Sequence, residues 1–318
     1  MKAEFGLKYG YPRIPLPQKI KGWITAIRPY TLLAPLIGGL TTPIVFLGHT
    51  NQLSHVFSVW DTIIYGCVTL ILCNMASNLY NQACDADIDK INKPYRPIPQ
   101  GLLGKEEVIT ISIILYMIAV LRACMTNLWF GFFVFLILVF TVCYSSPNIR
   151  LKKYLWINNI SIALPRGLLG YVAAWCILSD PFDILPWAIG IVLCVYLIGS
   201  QTSKDFPDVE GDKKFGIRTL PVVYGEKTAT IMSAPFLYLS SGVFVIAIMM
   251  GIIRVNPISI ALACVLFVWS VVISFMMMKI PTMEDKLVEN SPVWRHMYLL
   301  LFTAQIGFCL IYLWPIGG

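Results

Sequence analysis

Trp129-Phe-Gly-Phe-Phe-Val-Phe-Leu-Ile-Leu-Val-Phe-Thr-Val-Cys-Tyr144 is a run of sixteen residues without one charged side chain. A helix with apolar residues all round its circumference needs an apolar environment on every side. Crossing a hydrocarbon core about 30 Å thick takes about 20 such residues. Eight further windows of the same kind follow along the chain: Thr31–Gly48, Thr62–Ser77, Val108–Met125, Ile157–Leu178, Ile184–Ser200, Ala229–Ile252, Pro257–Met278 and His296–Trp314. The expected architecture is therefore all-α, a polytopic membrane bundle of about nine transmembrane helices. Pro35, Pro43, Pro165, Pro186 and Pro235 lie inside windows, which lipid-embedded helices tolerate when neighbours satisfy the freed backbone groups.

Composition agrees. The 318 residues are 57% hydrophobic and 13% charged, against about 25% charged in a soluble domain. The net charge of +7 is not a nucleic-acid footprint, because of where the basic residues fall. Of 24 Lys and Arg, 21 lie in the N-terminal tail or in the loops after the second, fourth, sixth and eighth windows. The exceptions are Arg122, Arg166 and Arg254. That alternation is the positive-inside bias, and it puts the N-terminus and those loops in the cytoplasm. Met1–Lys21 is basic and Pro-bearing, so it reads as a cytoplasmic tail rather than a cleaved signal. The nine cysteines show no C-x-x-C spacing and, with Cys67, Cys73, Cys194 and Cys264 inside windows, read as small buried hydrophobes. The chain reads as one membrane-embedded domain over residues 1–318, in the plasma membrane.

Two loops break the apolar pattern. The first continues the second window as Asn78-Leu-Tyr-Asn81-Gln-Ala-Cys-Asp85-Ala-Asp87-Ile-Asp89-Lys-Ile-Asn92-Lys93-Pro-Tyr-Arg96, and helical spacing stacks Asn81, Asp85 and Asp89 on one face. The second continues the sixth as Ser203-Lys204-Asp205-Phe-Pro-Asp208-Val-Glu210-Gly-Asp212-Lys213-Lys214. Asp208 and Asp212 repeat the spacing of four, and Asp205 extends the row backward by three. Asp205 follows Asp85 by 120 residues, as if the chain had two related halves. Stacked carboxylates repel one another, so their accumulation calls for a cation. Oxygen donors without His or Cys suit Mg²⁺, which takes one or two carboxylates together with waters and phosphate oxygens. The interleaved Lys93, Arg96, Lys204, Lys213, Lys214 and Arg218 are redundant for metal alone and suit a diphosphate. Asp87 and Glu210 lie off the acidic faces.

At these residues the chain resembles the UbiA-type membrane prenyltransferases, whose N-x-x-x-D-x-x-x-D and D-x-x-x-D rows are met by Asn81/Asp85/Asp89 and Asp208/Asp212. The Lys93-Pro-Tyr-Arg96-Pro-Ile-Pro tail, Gly101, Val209-Glu-Gly-Asp212, Thr219-Leu-Pro221 and the Tyr144-Ser-Ser-Pro-Asn-Ile-Arg150-Leu-Lys152-Lys153 loop match as well, and so does Arg28-Pro29 at the first window. The resemblance covers essentially the whole chain. It implies Mg²⁺-dependent transfer of an isoprenyl chain from its diphosphate to a lipid-soluble acceptor, with release of diphosphate.

By that resemblance the metal ligands, for two ions, are Asn81, Asp85, Asp89, Asp205, Asp208 and Asp212. Asp85, Asp208, Lys152 and Tyr144 are the catalytic candidates, and Asn78, Lys93, Arg96, Arg150, Lys204, Lys213, Arg28 and Arg166 the substrate-binding ones. Arg166 lies within a span, where charge is costly and marks function; it contacts an anionic acceptor or pairs with an acidic neighbour. The motif wording is close to chlorophyll-synthase-like, homogentisate-type and archaeal ether-lipid members. Those routes use a C20 donor, geranylgeranyl diphosphate, with an aromatic, chlorin or glycerol-phosphate acceptor. A transporter is the rival from another class, but transporters gather polar groups near the midplane. A terpene cyclase of the same family would consume the donor with no acceptor.

Overall fold

A computed structural model describes residues 14–279 and 291–315. Residues 1–13 of the expected tail, and much of the basic loop after the eighth window, lie outside them. Among the described residues every named element is helical.

The first helix, α1 (Leu16–Ile27), was not expected. Pro17 sits in its first turn, and Leu16, Ile20 and Ile24 recur at a spacing of four along an exposed face. So the last residues of the Met1–Lys21 stretch, from Leu16 on, are helical. Arg28, at φ 55°, breaks α1 from α2 (Pro29–His49), whose first position is the proline. Pro fixes φ near the helical value and lacks only an N–H that would have no partner there.

The windows then appear in order as α3 (Trp60–Cys84), α5 (Lys105–Thr126), α6 (Leu128–Ser145), α9 (Ile184–Ser200), α12 (Glu226–Met249), α13 (Pro257–Met278) and α14 (Pro292–Leu313), with short α4 (Ala86–Asn92), α10 (Val209–Lys214) and α11 (Leu220–Tyr224) between them. Caps start several of them. Asn127 accepts from the Trp129 backbone N–H at 2.8 Å, Asp183 from that of Leu185 at 2.8 Å, and Asn256 forms a capping box with Ser259. Each such cap contributes about 1 kcal/mol.

Among the described residues eight helices are long and apolar enough to cross a membrane. The fifth window is the departure from nine. It is helical from Leu155 to Trp175 but in three pieces: α7 (Leu155–Ala163), a π-helical turn at Leu164–Leu169 and α8 (Gly170–Trp175). The cause is Pro165, which cannot donate to the ladder. Gly167 also lies so close to α9 that a Cβ there would fall 2.6 Å from Cys194 Cα.

The outward faces carry Leu121, Phe135, Phe267 and Phe275, all exposed, as a bundle solvated by lipid requires. Cys264 also faces outward, correcting its reading as a buried hydrophobe; Cys67 and Cys73 are buried. Close helix pairs are made by small residues. A Cβ on Gly48 of α2 would lie 2.5 Å from the Tyr312 carbonyl of α14.

Candidate active site

Where α3 ends, Asp85 takes φ −97° and ψ 5°, and the chain restarts as α4. The first acidic row therefore bridges two helices. The second row uses a different geometry. Gln201–Asp208 is a 3₁₀ segment, whose three-residue turn places Asp205 and Asp208 on one side; Asp212 follows on α10. Short α4 and α10 pack together, so the two rows meet. Asn92 is the brace. Its Nδ2 donates to the Asp208 carbonyl at 2.9 Å, and its Oδ1 accepts from the Gly211 N–H at 2.7 Å. Gly211 is required, since a Cβ there would lie 2.5 Å from Asn92 Oδ1. The loop after α6 joins through a bridge in which Leu155 N–H donates to the Arg218 carbonyl at 2.9 Å and Arg218 N–H to that of Lys153 at 3.0 Å.

These segments line a polar cavity, open to its surroundings, of about 780 Å³. Its wall brings together Arg28, Asn81, Asp85, Asp89, Lys93, Arg96, Tyr144, Lys152, Lys204, Asp205, Asp208 and Asp212. Lys152 pairs with Asp85 at 2.5 Å, with Arg150 at 3.3 Å from the same carboxylate, and Arg96 pairs with Asp89 at 2.8 Å. Lys93 pairs with Asp208, and Lys204 with Asp205 at 2.9 Å. Lys204 also donates to the Tyr144 hydroxyl at 2.8 Å, which in turn donates to Asn158 Oδ1 at 3.1 Å. A second cavity of about 1000 Å³, mostly apolar, lies among α2, α3, α9, α14 and the π turn. Trp294 lines both.

The sequence model of the UbiA prenyltransferase family matches residues 33–289. The chain belongs to that family. It is an integral membrane enzyme that transfers prenyl groups. Digeranylgeranylglyceryl phosphate synthase of Methanosphaera stadtmanae is 29% identical over 211 residues, spanning 66% of this chain and 72% of that one. The chloroplastic chlorophyll synthase of Avena sativa is 34% identical over 159 residues, 47% of this chain and 41% of its own. Among solved structures, a UbiA homolog from Archaeoglobus fulgidus bound to DMAPP and Mg²⁺ superposes with a TM-score of 0.67, at 18% identity, over 92% of this chain and 96% of that one.

In this UbiA-family site the carboxylates are not equivalent. Asp212 is buried and, among the described residues, has no ion pair of its own; Lys152 and Lys93, whose charges act on it, are engaged with Asp85 and Asp208. Burial and then the charge of Asp208 push its carboxyl up to about 8. Burial also raises Asp89 despite Arg96. Burial opposes the charge on Lys152, but Asp85 and Tyr144 outweigh it and hold the ammonium above its ordinary value.

The donor set suits Mg²⁺. It is carboxylate and amide oxygen without His or Cys, and Asp212 is a buried carboxylate that lacks a cation. Among the described residues no three His, Cys, Asp or Glu side chains already surround one point. One or two carboxylates from each row, completed by phosphate oxygens, match what Mg²⁺ prefers.

Four expected substrate contacts, Asn78, Lys213, Arg150 and Arg166, lie outside the polar cavity. Asn78 is buried and donates to the Ile27 carbonyl at 2.9 Å and to Thr31 Oγ1 at 2.8 Å, tying α3 to the α1–α2 junction. Lys213 is exposed, because the turn of α10 that presents Asp212 inward points its neighbour out. Arg150 reaches Asp85 and the Cys84 carbonyl from outside the cavity wall. Arg166 has no acidic partner among the described residues and lines the apolar cavity, donating to the Tyr298 hydroxyl at 3.2 Å. Asn158 was missed. It donates to Asp205 at 2.6 Å, and the Asn158-Asn159 amide pair inside an apolar window was the available signal. Trp294 lay just ahead of the last window and left none.

Proposed function

We propose that residues 1–318 form one catalytic unit that moves a C20 geranylgeranyl chain from its diphosphate to a lipid-soluble acceptor at the cytoplasmic face of the plasma membrane. The carrying observation is the pair of cavities that share Trp294, one polar with two acidic rows and five Lys or Arg, the other mostly apolar. The diphosphate occupies the polar cavity and the tail the apolar one.

Asp85, Asp89, Asp205, Asp208 and Asp212, with Asn81, would hold two Mg²⁺ ions, which supply positive charge to the leaving diphosphate as the allylic C–O bond breaks. Lys93, Arg96, Lys152 and Lys204 turn from their carboxylates to the diphosphate oxygens and stabilise the charge that develops there. Arg28 reaches the same group from the α1–α2 break. Tyr144, fixed by Lys204 and Asn158, orients that lysine and presents its ring, 5.3 Å from the ammonium, beside the cationic chain. The apolar walls exclude water, so the acceptor rather than solvent takes the carbocation and gives up a proton.

Purified protein in bilayers, given geranylgeranyl diphosphate, Mg²⁺ and a panel of aromatic, chlorin and glycerol-phosphate acceptors, should release diphosphate only with metal and prenylate one class. No metal-dependent loss of donor would end the reading, and loss without a prenylated acceptor would indicate a cyclase. The membrane orientation is tested separately. Cysteines introduced at Asn92, Lys153 and Gly216 should label from the cytoplasm and those at Asn51 and Ser179 from the other side; labelling of Asn92 and Gly216 from opposite sides would exclude the shared site.

A further inference from the structure

The apolar cavity is not uniformly apolar. Arg166 projects into its wall from the π turn, between Pro165 and Gly167. A guanidinium at membrane depth is costly and is ordinarily paired, yet among the described residues its partner is the neutral Tyr298 hydroxyl. It offers five N–H donors in a fork that fits an oxyanion. The π turn aims it there. The tight approach of Gly167 to Cys194, and of Gly190 to Leu168, leaves the helix no room to settle into a regular turn at this point, and π turns recur at functional sites.

An independent observation concerns the neighbours. Trp294 Nε1, Gln201 Oε1 and Gln305 Oε1 are buried without a hydrogen-bond partner, and all three residues line this same cavity at 8% exposure or less. A prenyl tail could satisfy none of them, and of the three only the Trp294 indole N–H is a donor that an oxyanion could engage; unpaired buried polar groups are rare enough that each needs a reason. Trp294 packs edge-on against Tyr298 with centroids 4.9 Å apart, so the tyrosine whose hydroxyl accepts from Arg166 also packs against the indole. Because Trp294 borders the polar cavity too, this cluster lies at the seam where the chain parts from its diphosphate.

We propose that Arg166 binds the anionic head of the acceptor, a carboxylate or a phosphate monoester, with the Trp294 indole N–H as a second donor, and so selects charged acceptors over neutral ones. This rests on the prenyl-transfer reading above and specifies its acceptor. Asp85, Asp208 and the basic residues of the polar cavity hold the donor; Arg166 holds the other substrate.

The test uses full-length protein in neutral-lipid nanodiscs and two matched pairs: 4-hydroxybenzoate with its methyl ester, and a glyceryl-ether monophosphate with its dephosphorylated alcohol. Acceptor dissociation constants, acceptor KM and kcat, and the dissociation constant of geranylgeranyl diphosphate with Mg²⁺ are measured. Wild type should bind one anion at least tenfold more tightly than its neutral counterpart, and which pair responds identifies carboxylate or phosphate. Arg166→Met should bring that ratio to within twofold and raise acceptor KM at least tenfold, with donor affinity retained. Arg166→Lys should recover part of the ratio, and Trp294→Phe should lower it about threefold. Equal binding within both pairs, no binding of either anion, or full discrimination in Arg166→Met would each overturn the proposal. If Arg166→Met fails to fold, an unchanged ratio in Arg166→Lys and Trp294→Phe together overturns it. Absence of donor binding by wild type would instead strike the prenyl-transfer reading.

Discussion

The acidic row on α3 and α4 and the row that follows α9 carry the same residue types at nearly the same spacing, yet the chain compensates them differently. In the first, Asp85 is held by Lys152 and Arg150 and Asp89 by Arg96, so every carboxylate has its own cation. In the second, Lys204 and Lys93 take Asp205 and Asp208, and Asp212 is left buried with none. Two rows alike in sequence thus differ in balance: two carboxylates face three cations in the first, and three carboxylates face two cations in the second. The lesson is that a repeated motif need not have repeated electrostatics, because the compensating cations sit at positions that do not repeat: Arg150 and Lys152 come from the loop after α6, Lys93 and Arg96 follow the first row, and Lys204 lies within the second.

The comparison would break first at the carboxylates. Asp85→Ala and Asp208→Ala should each lower prenyl transfer more than a hundredfold while the protein still inserts and folds, since neither row alone can hold a diphosphate with its metals. Activity within tenfold of wild type in both variants would show that the rows are not the site. The next effect is smaller. Lys93→Ala, Arg96→Ala, Lys152→Ala or Lys204→Ala removes one charge-assisted contact of about 1.5–3 kcal/mol, so the rate or the affinity for inorganic diphosphate should fall about ten- to a hundredfold. Lys213→Ala, on the exposed side of α10, should change either by less than about threefold, as solvated charges do. Four variants that bind diphosphate as wild type would leave the metals alone to hold the leaving group.

The asymmetry itself is sharpened by pH. Asp212 is protonated below about 8, and a metal must displace that proton to use the oxygen. Mg²⁺ affinity should therefore rise with pH, by up to about tenfold per unit below 8, and level off above it. Calorimetric titrations across that range should show proton release on binding. Asp212→Asn should flatten the profile, and a wild-type affinity independent of pH would show that Asp212 holds no proton for the metal to displace.

Much of this was legible from spacing. The window Pro257–Met278 coincides with α13, and Trp129–Tyr144 misses α6 by one residue at each end. Asn81, Asp85, Asp89, Asp205, Asp208 and Asp212 were brought together as the motif wording implied. What spacing could not reveal was decided by partners far along the chain. Asn78 stands one turn before Asn81, but the α1–α2 junction claims its amide. Asn158 sits in an apolar window and reaches the site only because Asp205 folds over it. Arg166 was visible as an isolated charge, but a π turn had to aim it before its surroundings could be read. Leu16, Ile20 and Ile24 were obscured by the prolines and lysines around them.

The stripe on α1 has a bearing on how the enzyme meets its substrates. An amphipathic helix with one exposed apolar face lies in the plane of the interface, that face sunk about 5–10 Å toward the acyl chains, and α1 leads directly into Arg28 at the polar cavity. Such a placement would moor the cavity mouth at the depth where a prenyl diphosphate floats, head in the polar layer and tail below. Encounter would then become a two-dimensional search, governed by molecules per lipid rather than per litre, with the donor recruited without being lifted out of the leaflet.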